Sequence, residues 1–170
     1  ERPPGVAEAA EERGIGDRVR FLGYLPHRDA VAALAKADVA VALIADRPGA
    51  TAAIGGKVFE YLAVGVPVLV LGPQEGETAD LVRAAHAGWV ISPRDTAGIV
   101  GLIERLAAEK RAGRTLAVEQ DRAVVERYDR RVVAAQFAAL LGELAFEEGG
   151  SAAFATAETS AADAAREAAS

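Results

Sequence analysis

Apolar residues along this chain follow two rhythms that alternate through its first two thirds. Short, β-branched runs bounded by turn residues occupy 18–23, 38–44, 67–72 and 88–92, which predicts four strands. Three of them are nearly continuous in apolar character, as strands buried on both faces are, and this predicts a parallel sheet covered by helices. The stretches between them carry helical period and open on capping residues. Asp29 stands before Ala30-Val31-Ala32-Ala33-Leu34-Ala35, and Glu77 with Thr78 opens Ala79-Asp80-Leu81-Val82. Asp95 and Thr96 head a helix whose Ile99, Val100, Ile103 and Leu106 fall at helical spacing. Such alternation of strand and helix gives an α/β domain. Past Gly113, Val132, Val133, Phe137, Leu140, Leu141 and Leu144 form the stripe of a docking helix, interrupted upstream by the charged run 121–131.

Composition changes the picture at the end of the chain. After Phe146 the residues are mostly Ala, Ser, Thr and acids, with Glu147, Glu148, Glu158, Asp163 and Glu167 against Arg166 alone. The expected division is therefore a domain over 1–146 and a solvated, disordered tail over 147–170 that holds four of the six net negative charges. A chain of 170 residues that is 51% hydrophobic can bury one respectable core. A net charge of −6 without a basic cluster excludes general affinity for nucleic acid or anionic membrane.

Residue types that are missing remove whole classes of chemistry. Without cysteine there are no disulfides, thiolate metal sites or thiol nucleophiles. His27 and His86 lie too far apart in sequence to suggest a metal pair, and both are expected as capping or solvated residues. No Ser-His-Asp order with a nucleophile elbow is present. The longest apolar run, 64–71, is broken by Gly65 and Pro67 and falls far below the ~20 residues that span a bilayer. A cytoplasmic protein is expected, peripheral to a membrane at most through its parent enzyme. The absence of methionine and the opening Glu1-Arg2-Pro3-Pro4 suggest a piece of a longer chain.

The candidate site lies at the start of the helix before the third apolar run. Gly55 and Gly56 lead into that helix, so bare backbone N–H groups and a positive helix end can meet a pyrophosphate with no Cβ in the way. Lys57 and Glu60 share a helix face, which sets a cation near the phosphates and a carboxylate one turn deeper, where it can accept hydrogen bonds from ribose hydroxyls. Phe59, Leu62 and Ala63 are expected to face the core. The same Lys-Glu pair also suits an ordinary surface ion pair on an amphipathic helix, which stabilises by a few tenths of a kcal/mol, about 0.2–0.5.

Taken in order, the motifs resemble the C-terminal, donor-binding domain of GT-B-type glycosyltransferases, the retaining group 1, family 4-like enzymes in particular. The resemblance runs from about Val19 to Leu144. It rests on Phe21-Leu22-Gly23-Tyr24-Leu25-Pro26, on Ala37-Asp38-Val39, on Gly55-Gly56-Lys57-Val58-Phe59-Glu60-Tyr61-Leu62-Ala63 with Gly65-Val66-Pro67-Val68, on 87–95, and on the late Tyr128-Asp129-Arg130-Arg131. It implies a partial Rossmann-like doubly wound parallel sheet that lacks its first strands. It also implies a nucleoside diphosphate sugar as substrate, with no separate cofactor and no obligatory metal. Glu60, Lys57, Gly55 and Gly56 would bind the donor, and Tyr24 and Leu25 would contact its base, although residues of such a loop more often serve its packing. Many such enzymes carry two glutamates with seven residues between them, of which Glu60 matches the second while Ala52, eight positions earlier, stands where the first belongs.

In the strand order 3-2-1-4-5-6 the four runs would take positions three to six. Segment 18–23 would then have lost its neighbours and stay unpaired, unless it re-paired directly or a partner filled the gap, and the next strand would expose its edge. Marginal stability or self-association is expected to follow. Three functions compete. The chain is a fragment of a glycosyltransferase with a glycan, lipid-linked or small-molecule acceptor, inactive by itself without its N-terminal domain or a partner subunit. Otherwise it is a non-catalytic nucleotide-sugar-binding or interaction module, or a GT-B-like nucleotide-sugar 2-epimerase, whose expected donor loop is replaced here by residues 49–56.

Overall fold

Valine and leucine dominate the segments that pair, and each is short enough for one pass through a small sheet. The computed structural model describes residues 5–147 except 46, 48, 49, 115 and 117. The tail expected over 147–170 lies, but for Glu147, outside the described residues, as do the opening residues 1–4 and Asp46. The chain divides into two compact units, one ending at Arg122 and one beginning at Ala123.

The first unit holds α1 (Val6–Glu12), a 3₁₀ turn (Gly16–Arg18), α2 (His27–Leu34), β1 (Ala40–Leu43), a second 3₁₀ turn (Ala50–Ala52), α3 (Gly56–Val64), β2 (Val68–Leu71), α4 (Glu77–Ala84), β3 (Gly88–Ile91) and α5 (Thr96–Arg111). The short α6 (Arg122–Glu126) stands at the division, and α7 (Arg130–Glu147) belongs to the second unit. The sheet is parallel throughout in the order β1-β2-β3, with Ala40 opposite Val68 and Val68 opposite Gly88. This is the α/β arrangement that the alternating pattern predicts, in the partial, Rossmann-like form that the resemblance implies.

Side chains alternate across a strand, so each face has its own cover. On one face Leu69 is buried with Leu102 and Leu106 of α5, and Val39, Leu71, Trp89 and Ile91 pack around them. On the other, Ala40, Ala42, Val68 and Val70 are buried, while α3 lies against β1 and β2 and α4 against β3. The end of α5 meets the chain just before β1, where Lys110 pairs with Asp38, but one face of the strand stays open. Val41 and Leu43, in register with Leu69 and Leu71, stay exposed, Leu43 to 77%.

Three local expectations need correction. Segment 18–23 forms no strand: Gly16–Arg18 is a 3₁₀ turn and Val19 is extended, but the sheet contains only β1 to β3. A strand persists by its ladder, and in the doubly wound order the third position neighbours the second, so β1 is not its partner. Asp29 does not cap α2, which starts at His27 behind Pro26. Proline suits a helix start because an N–H there has no partner in any case. Likewise α4 starts after Gly76 with Glu77 already inside it. By contrast Asp95 caps α5, its Oδ1 accepting the Gly98 N–H at 2.9 Å.

Candidate functional site

Loops that follow the carboxyl ends of parallel strands are where α/β sheets place ligands, and here two of them are tied together. The chain leaving β1 runs through Ile44 and the 3₁₀ turn 50–52 toward α3, and the chain leaving β2 runs through Gly72 and Gly76 to α4. Gly76 has φ +110 and lies so close to Thr51 that a Cβ would stand 2.5 Å from the Thr51 carbonyl oxygen. Only glycine allows both the conformation and the approach.

Thr78, in the first turn of α4 and 5% exposed, completes the tie. Its hydroxyl donates to the Ala53 carbonyl at 3.0 Å and accepts the Gly55 N–H at 3.4 Å. The loop entering α3 is therefore held from below by one buried side chain. Ile44, Thr51, Val70, Gly76 and Thr78 line a small cavity of about 10 Å³ beneath it, room for a single water.

Helix α3 is fixed at both ends and along one side. Val58 and Leu62, each 1% exposed, anchor it to the sheet, and burying two such side chains contributes about 1.5–3 kcal/mol apiece. Ala63, expected on the core side, is exposed, because the helix turns its 58/62 stripe inward rather than 59/63. At the far end Gly65 adopts φ +83 and its N–H bonds back to the Tyr61 and Leu62 carbonyls, which ends the helix before Pro67 and β2.

At its N-terminus α3 has no side-chain cap, since Gly55 holds that place in an extended conformation. The first N–H groups of a helix have no intrahelical partner. A Cβ on Gly56 would meet nothing within 4 Å, whereas one on Gly55 would stand 3.2 Å from Ile44 Cδ1 and the Gly55 N–H is already given to Thr78, so among the described residues the open side of this helix end is at Gly56. Lys57 Nζ lies 3.5 Å from Glu60 Oε2, with the lysine side chain 71% and the glutamate side chain 35% exposed. The structure thus brings Gly55, Gly56, Lys57 and Glu60 to one exposed helix end and face. Among the described residues no hydrogen bond or ion pair joins Tyr24, 94% exposed, or Leu25 to Lys57 or Glu60. Helix α2, which begins two residues after Leu25, does lie alongside α3.

Among the described residues no group of three or more His, Asp or Glu is placed to hold a metal ion, and no helix is long and apolar enough to cross a membrane. His27 and His86 are both exposed, and His86 adopts φ +49 just beyond α4.

Residues 1–109 match the family model described as glycosyl transferases group 1. The chain belongs to that family. The matched part of this group 1 glycosyltransferase sequence contains α3, the Thr78 clamp and all three strands, and ends within α5. In structure it is similar to sucrose-phosphate synthase from Thermosynechococcus elongatus, with a TM-score of 0.63 and 25% sequence identity. That likeness covers 82% of this chain and 33% of the synthase, so the chain spans about one third of that structure's length. Comparison with curated proteins by sequence gave no match.

Two residues of the candidate site are not legible from the sequence. Thr78 stands in sequence as one more polar residue near a helix start, and its partners are 25 and 23 residues away. Gly76 looks like an ordinary helix-preceding glycine, and only the fold shows that Thr51 crosses it.

Proposed function

We propose that the chain carries the diphosphate- and ribose-binding part of a glycosyltransferase donor site, and that its parent transfers a sugar from a nucleoside diphosphate sugar to a glycan, lipid-linked or small-molecule acceptor. The observation that carries this reading is the uncapped start of α3, open in front of Gly56 and flanked by Lys57 and Glu60. Backbone N–H groups and the helix dipole there favour an anion, and Lys57 adds a mobile positive charge. Glu60, one turn further, would exchange its pairing with Lys57 for hydrogen bonds to vicinal ribose hydroxyls. Transfer would then go through positioning and electrostatic stabilisation of the leaving diphosphate, with retention at the sugar and without an obligatory metal.

In this reading the acceptor and the remaining catalytic groups come from an N-terminal domain of the parent or from a partner subunit, and the isolated chain binds without turnover. Ala52, where an acid would address the transferred sugar, favours a second reading in which the module binds nucleotide sugar and has no catalytic role.

Melting curves recorded with UDP, GDP and dTDP test the site. One of the three is expected to raise the melting temperature of the parent chain, and Glu60→Ala to remove most of that rise. Gly56→Ala should leave unliganded stability equal or better, by about 0.4–1 kcal/mol, because the helix tolerates a Cβ there. The same Cβ should weaken nucleotide binding by standing where the diphosphate approaches. Equal ligand responses of the parent and both variants would remove α3 from the donor site. Binding that persists through the parent enzyme without sugar transfer would select the second reading.

A further inference from the structure

Strand β3 ends the sheet, and its outer edge forms the floor of an open cleft of about 490 Å³ between α4 and α5. The Val68 N–H bonds to the Ala87 carbonyl and the Gly72 N–H to the Ile91 carbonyl, so alternate residues from Ala87 to Ile91 face β2. By the alternation of a parallel ladder, Gly88 and Val90 turn their N–H and C=O groups outward along the cleft. The strand contains no charge and no proline, so little beyond its shortness guards it against a further strand. Gly101 of α5 lines the same cleft, and a Cβ there would meet nothing within 4 Å, which leaves room beside the edge.

Two exposed arginines flank the cleft, Arg83 from α4 and Arg105 from α5, and no acid lines it, in a chain whose acids outnumber its bases by 25 to 19. Arg83 pairs loosely with Asp80, at 3.6 Å on the open surface, and among the described residues Arg105 has no hydrogen-bond or ion-pair partner. The two helices cover opposite faces of the sheet, and both run back toward its amino end. For α4 this follows because it links parallel strands, and for α5 because its last turn reaches Asp38 just before β1. Arg83 is next to last in α4, and Arg105 stands about 14 Å along α5, so both lie near the start of β3, one over each face. Consecutive residues of an extended strand point to opposite faces. A strand added beside β3 would therefore meet both guanidinium groups with two neighbouring acids. A second copy of β3 has no acid to offer them. We propose that the outer edge of β3 docks an extended segment of a partner protein, added as a further strand and carrying two consecutive acids level with Gly88.

Trp89, the one tryptophan of the chain, lines the cleft, so its fluorescence reports occupancy directly. The probe is a capped peptide of threonine and valine, about ten residues long, around a central Glu-Glu pair. Titrated into the full chain at low salt, it is expected to shift the tryptophan emission saturably. Arg83→Glu and Arg105→Glu, both at exposed positions where circular dichroism should show the fold retained, should each weaken binding about fivefold. Peptides with Lys-Glu and with Glu-Lys in place of the acidic pair should then divide the variants. One is expected to rescue Arg83→Glu and the other Arg105→Glu, each to within about twofold of the parent complex. That crossed pattern requires neighbouring residues on the two faces of one strand. Proline on both sides of the acidic pair should abolish binding, because it removes N–H groups from the new ladder. The proposal is overturned by an emission that does not respond, by equal affinity for the proline peptide, or by one peptide rescuing both variants alike. Displacement of the probe by an equal concentration of pyrophosphate would make the cleft a simple anion site and overturn it as well.

Discussion

At the scale of single residues, the candidate site depends on side chains that do not touch a ligand. Thr78 holds the loop of Ala53 and Gly55 with one hydroxyl that both donates and accepts. Thr78→Val keeps the volume but leaves the Ala53 carbonyl and the Gly55 N–H without that partner, and should lower stability by about 1–3 kcal/mol. Thr78→Ser should keep most of it, as chemical denaturation of the three chains will show. If the valine variant is as stable as the parent, the loop is held by something other than the hydroxyl. The Lys57–Glu60 pair is different in kind. It is exposed at 3.5 Å, so its contribution to folding is small and removing it should act on ligand response rather than on unliganded stability.

At the scale of elements, the helices owe their ends to different devices. Helix α3 uses Gly55 and Gly65, which keeps its start free of a side chain, whereas α5 uses the Asp95 carboxylate. This contrast follows what each helix does: α5 supplies Leu102 and Leu106 to the core, while the start of α3 faces open space. Asp95→Ala is expected to lower stability by about 1 kcal/mol, within the 0.5–2 kcal/mol typical of a lost N-cap. Asp95→Asn should restore it, because the amide oxygen can accept the Gly98 N–H. A melting temperature unchanged in the alanine variant would mean that packing by α5 holds its first turn without the cap. In α7 the cap is Asp129, whose Oδ1 accepts the Arg131 N–H at 2.7 Å. The local start of that helix is thus written in sequence.

At the scale of the whole molecule, the sheet of the first unit has covered faces at β2 and β3 and an uncovered one at β1. Leu43 lies in the same register as Leu71 but is 77% exposed, so Leu43→Lys should cost little stability, within about 0.5 kcal/mol. It should also reduce binding of a hydrophobic dye such as ANS, and undiminished dye binding would locate the exposed apolar surface elsewhere. The sequence by itself determined the α/β class, the three paired strands, the helix between Gly55 and Gly65 and the common face of Lys57 and Glu60. These follow from local periodicity and from residues whose backbone limits act within a few positions. It could not decide whether 18–23 is a strand, because β-branched composition makes a segment suited to a ladder without supplying its neighbour. Nor could it reveal that Thr78 grips the loop before α3, that Gly76 admits Thr51, or that Val41 and Leu43 stay exposed on one face of β1. Those depend on contacts between residues far apart in the chain, which exist only once the sheet has ordered the loops at its carboxyl ends.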